Sequence, residues 1–333
     1  MRFAAVPGEI VQINSDKYSG PKLGERRVLR PGRLRWLRAV LWGVGLVFLI
    51  TLAFGPAMEA IHNHLPKSDP RSSFISNVAG GLLAMAAYAL LVRLGEDRRL
   101  DELEPRFVVP ELAAGLTIGV AMFAMVMGIM TILNLYRIEW HGAAPAWRAG
   151  GLAIQAALVE EVLVRGVILR LLWRAFGPLA AFAISAGIFG LGHLFNPGGT
   201  VFAAICVALE AGVMLGAFYA FTGRLWTSIG VHAAWNFAQG YLFGAAVSGG
   251  DLGPALASST ARAGAASWLT GGAFGPEASL PALLVCSSVG LATLHIAWKA
   301  GRFARPPAVP SRDRDADQRC EAADGNGTFP VSP

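Results

Sequence analysis

The chain has 333 residues, 54% of them hydrophobic and only 15% charged, against roughly a quarter charged in average soluble domains. Its net charge of +6 is segregated, with nine Lys and Arg residues in the first 38 positions and long uncharged stretches elsewhere. That pattern excludes a soluble module with a basic face for nucleic acid and describes a chain built for lipid.

Residues 1–36 form a basic N-terminal segment with no early apolar run, so the first span is not expected to be a cleaved leader. A helix needs about 20 apolar residues to cross a hydrocarbon core of roughly 30 Å, which predicts about eight transmembrane helices. They fall at 37–57, 74–94, 110–135, 149–172, 177–195, 200–221, 225–247 and 279–298. The links at 196–199 and 222–224 are short, so spans four to seven pack as one antiparallel group. The expected fold is an all-α, polytopic membrane helical bundle over 37–300. The Gly-, Ala- and Ser-rich stretch 248–278 reads as a flexible outer loop, and 301–333 as a disordered cytoplasmic tail.

Lys and Arg in short loops concentrate on the cytoplasmic side of a membrane. With both termini inside, the inner segments hold the N-terminal cluster, Arg98, Arg99, Arg106, Arg170, Arg174, Arg224, Lys299, Arg302 and Arg305, whereas the outer ones hold Lys67, Arg71, Arg137, Arg148 and Arg262. The Arg, Ala and Gly content and short loops suit a bacterial cytoplasmic (inner) membrane. Cys206 and Cys286 lie in apolar runs, and Cys320 is too far from Pro333 for a prenylation box.

Ionisable side chains within a span cost about 2.5–3.5 kcal/mol on insertion scales, which makes each a functional candidate. Span four carries Glu160, Glu161 and Arg165. Glu161 and Arg165 are four apart and share a face, where they can pair; Glu160 points about 100° away and is left unpaired. A desolvated carboxylate is suited to accept a proton from water. A polar clamp between helices would account for two of these residues but not for a second carboxylate. Span five ends in Phe189-Gly-Leu-Gly-His193, and span seven contains His232-Ala-Ala-Trp-Asn236. His232 and Asn236 project from one helix face as a pair of hydrogen-bond donors. Glu210, near the centre of span six, either lines the same cavity or pairs with a neighbouring helix. His62, His64 and His141 are expected in solvated outer loops, and His295 at the inner end of the last span.

Glu160-Glu161-x-x-x-Arg165, Phe189-x-x-x-His193 and His232-x-x-x-Asn236, in this order on successive spans, resemble the three signature motifs of the CPBP family, which comprises CAAX proteases and bacteriocin-processing enzymes. The flanking Arg165-Gly166, His193-Leu-Phe-Asn-Pro197 and Thr222-Gly-Arg-Leu-Trp226 agree. The resemblance covers about residues 145–247, the family-like catalytic core. It implies hydrolysis of a peptide bond within the membrane, by an endopeptidase acting on a membrane-associated protein or peptide. Glu160 with His193 would activate water, His232 and Asn236 would stabilise the oxyanion, and Glu161 and Arg165 would orient or support them. Phe189 and Glu210 are candidate cavity residues.

Two His and a Glu can also hold zinc with a position open for water, and Glu160, His193 and His232 are the set that would do so. The chain has no His-Glu-x-x-His helix, and the reading favours no obligatory metal, with a metalloprotease-like site as the open alternative. A non-catalytic scaffold or immunity protein of the same fold, and a proton-coupled carrier using Glu160, Glu161 and Glu210, are the competing functions. The intact motif residues argue against the first. The lack of an internal repeat argues against the second.

Overall fold

The computed structural model describes residues 20–66 and 69–303. Most of the N-terminal basic segment, Lys67, Arg305, Cys320 and all but the first three residues of the tail expected to be disordered lie outside them.

Every expected span corresponds to a helix. These are α1 (Arg35–His64), α2 (Pro70–Glu96), α3 (Val108–Ile132), α4 (147–176), α5 (Pro178–His193), α6 (Val201–Thr222), α7 (226–242) and, after a short α8 (Ser267–Thr270), α9 (Leu280–Lys299). Among the described residues, five segments are long and apolar enough to cross a membrane: α1, α2, α3 with the turns ahead of it, α6 and α9. The other three fall short for visible reasons. α5 has only 16 residues, α4 carries charges along its length, and α7 is interrupted by polar side chains. They are the helices that bear the motifs.

Local chemistry sets the ends. Asp69 caps α2 by accepting from the Arg71 N–H at 2.9 Å, and Thr200 caps α6 through Ala203 at 3.0 Å. Gly177, at φ +88°, ends α4, and Pro178 opens α5 at once. α1 runs on through Pro56 to His64, so His62 and His64 occupy its exposed last turn rather than a loop. His141 follows a strand and lies 2.8 Å from the Ser258 hydroxyl.

Lipid supplies no hydrophobic drive between helices, so close backbone packing must do so. Gly115 and Gly119 of α3 face Thr227, Gly230 and Val231 of α7, and a methyl group at Gly115 would lie 2.5 Å from the Thr227 carbonyl oxygen. Gly212 of α6 meets Ala186 of α5, and Gly290 of α9 meets Met214 of α6. Leu41, Val44, Phe48 and Leu52 of α1 point outward, as a lipid-facing surface requires.

Several of the cations counted as inner-loop charges are buried in ion pairs. Arg170 donates to both oxygens of Glu96 at 2.8 and 2.7 Å, Arg98 pairs with Glu96 at 2.7 Å and Glu102 at 2.6 Å, and Arg224 pairs with Glu111. Tyr88 sits between Glu102 and the Gly166 carbonyl. These cations tie α2, α3, α4 and the α6–α7 turn together at one end of the bundle.

The stretch 248–278 is built, not loose. Its strand β2 (Ala257–Ala261) pairs antiparallel with β1 (Tyr136–Trp140), from Tyr136↔Ala261 to Trp140↔Ala257. The Gly249 N–H donates to the Phe274 carbonyl at 2.7 Å, and a Cβ at Gly198 would meet the Phe274 nitrogen at 2.8 Å. The link at 196–199 is thus packed against this segment.

Candidate active site

Three of the four helices of the central group depart from α geometry next to a polar side chain. α4 turns π-helical over Val162–Leu169, directly after Glu161. α6 does so over Ala208–Leu215, which includes Glu210, and α7 over Ala238–Leu242, directly after the motif ending at Asn236. Such π segments recur at functional sites because they shift side-chain register along one helix.

The three helices and α5 enclose a cavity of about 250 Å³. Glu160, His193, His232 and Asn236 all line it, as do Phe189 and Glu210. Glu210 thus stands in the cavity wall.

Glu161 and Arg165 stand behind this wall with no solvent exposure. Arg165 Nη1 donates to Glu161 Oε1 at 2.8 Å, the i,i+4 pair expected from the spacing. Its Nη2 donates to the Ala211 carbonyl in the π-helical part of α6, and its guanidinium lies 5.2 Å from the centre of the Phe189 ring. One cation thus joins α4, α5 and α6 around the site.

Glu161 Oε1 has a second partner that the spacing did not suggest: His232 Nδ1, at 3.0 Å. The carboxylate can only accept, so Nδ1 carries hydrogen and Nε2 is turned away from Glu161. Nε2 lies 3.8 Å from Glu160 Oε2, and the Glu160 side chain is 35% exposed. Glu160 is thus open to the cavity while its neighbour is sealed. His193 Nδ1 lies 2.8 Å from the Phe189 carbonyl, which likewise fixes the hydrogen on Nδ1 and leaves Nε2 free.

Other lining residues were not anticipated. Ser248 and Glu277 come from the stretch expected to be a flexible loop, and Gln155 and Asn196 from polar positions beside the motifs. Glu277 donates nothing to a motif and lies far along the chain, so no spacing could have found it. Its Oε1 accepts from the Ser248 N–H at 2.5 Å and hydroxyl at 2.9 Å. Burial pushes the Glu277 carboxyl up to about 8, against these bonds.

Among the described residues, no three His, Cys, Asp or Glu side chains converge as metal ligands. Glu160, His193 and His232, the conditional zinc set, do not form such a group, although both imidazoles are held through Nδ1 alone.

Residues 142–238 match the family model of the Type II CAAX prenyl endopeptidase Rce1-like proteins, a protease family. The matched segment contains all three motifs, and it bears out the resemblance to the CPBP family. Comparison with curated proteins and with solved structures gives no match.

Proposed function

We propose that this protein is an intramembrane endopeptidase of the CAAX-protease type, which hydrolyses a peptide bond of a membrane-associated protein or peptide with water activated by Glu160. The observation that carries this reading is the placement of Glu160 at the cavity surface beside His232, with His193 and Asn236 in the same wall.

Glu160 takes a proton from a water held by His193 Nε2, and the water oxygen attacks the scissile carbonyl carbon. The oxygen of that carbonyl gains the negative charge. The Asn236 amide and His232 Nε2, in the imidazolium form, donate to it. Glu160 then returns its proton to the departing amine as the C–N bond breaks. Glu161 keeps His232 in the orientation that presents Nε2, and Arg165 holds Glu161 in turn. These are positioning roles.

A second pocket of about 560 Å³ shares Ala153 with the first and is lined by apolar side chains including Phe74, Leu116, Trp147 and Phe237. It suits the apolar anchor of a substrate that arrives from the bilayer. The chain would work in a bacterial cytoplasmic membrane with both termini in the cytoplasm.

The test compares new protein termini in membranes from cells with wild type or Glu160→Ala at matched, inserted levels. Products present only with wild type support the reading and name the substrate. Identical profiles would favour a scaffold or carrier.

A further inference from the structure

Two acids in the cavity wall have no part in the motif chemistry. Glu210 is 4% exposed and Glu277 6% exposed, and both line the cavity. Glu210 Oε1 and Glu277 Oε2 are buried with no hydrogen-bond partner among the described residues. An unmet carboxyl oxygen in such a place is costly unless a ligand completes it.

The surroundings limit what that ligand can be. Glu160, Glu210 and Glu277 all face the cavity, and no Lys or Arg lines it. The nearby Arg165 is committed to Glu161 and to backbone. A metal ion would need a third ligand, and no such trio converges among the described residues. An ammonium or guanidinium carries several donors on one charge, so a single group can serve both free oxygens.

We propose that Glu210 and Glu277 form the pocket for a basic side chain, Lys or Arg, next to the scissile bond of the substrate. The assignment rests on reading the cavity as a protease site. Glu210 supplies its acid from the π-helical part of α6, and Ser248 holds Glu277 so that only its second oxygen is presented.

New termini from membranes with wild type, Glu160→Gln and the double variant Glu210→Gln/Glu277→Gln test this. Cleavages that need Glu160 are expected to carry Lys or Arg at or next to the cut position. In the double variant they should fall by about tenfold or more, as expected for lost charge-assisted bonds. Glu160-dependent cleavages without basic residues, or retained at full level in the double variant, overturn the pocket and leave the protease standing. No Glu160-dependent cleavage at all overturns both. If the double variant does not insert, the residues flanking the wild-type cuts decide alone.

Discussion

His232 Nδ1 and Glu161 Oε1 are 3.0 Å apart, on helices far apart in sequence, and the same oxygen accepts from Arg165 at 2.8 Å. One buried carboxylate oxygen therefore orients the imidazole and neutralises the guanidinium. The adjacent Glu160 is left at the cavity surface.

Adjacent acids should thus fail differently. Glu160→Gln should lower turnover by about 10²–10⁴-fold while stability changes by less than about 0.5 kcal/mol. Glu161→Gln should cost about 3–5 kcal/mol, because it strands the Arg165 charge. Thermal melting in detergent, beside terminus profiling, separates the two; equal melting losses would sink the division of roles.

Arg165→Lys should not rescue Arg165→Ala. An ammonium cannot reach Glu161 and the Ala211 carbonyl while stacking on Phe189. Both variants should melt well below wild type, and a Lys variant that melts normally would show that the planar fork is unnecessary.

Glu277 gives the folded state a pH dependence of known sign. Burial holds its carboxyl near 8 against 4.5 for the ordinary group, so the folded chain keeps a proton that the unfolded chain loses. Stability from this group therefore falls as pH rises through that window. Glu277→Gln removes the effect, and its melting temperature relative to wild type should climb between pH 5 and about 8. A constant difference would mean that the carboxyl titrates normally.

Gly115→Val tests the α3–α7 contact. The new side chain would meet the Thr227 carbonyl and the Gly230 backbone, and overpacking of this kind costs about 1–3 kcal/mol. Melting of the variant measures it. Gly128, which has open space beyond it, is the control.

What the sequence revealed was what local spacing encodes. The apolar runs marked the helices, the i,i+4 step paired Glu161 with Arg165, and the three motifs named Glu160, His193, His232 and Asn236. What it hid depends on contacts between distant segments. Ala257-Ser-Ser-Thr-Ala261 has little strand character of its own and becomes one only against Tyr136–Trp140. Arg170 and Arg224 looked like topological charges because their carboxylate partners, Glu96 and Glu111, lie on other helices. The π-helical stretches leave no mark in composition.

The pairing of β2 with β1 also sets an order of events. During synthesis the chain emerges from its N-terminus, so Glu160, His193, His232 and Asn236 are all made before Ser248, Glu277 and the strand that anchors their segment. That closure joins residues distant in sequence and is intrinsically slow. Until it occurs the motif helices stand around a chamber whose wall still lacks Ser248 and Glu277.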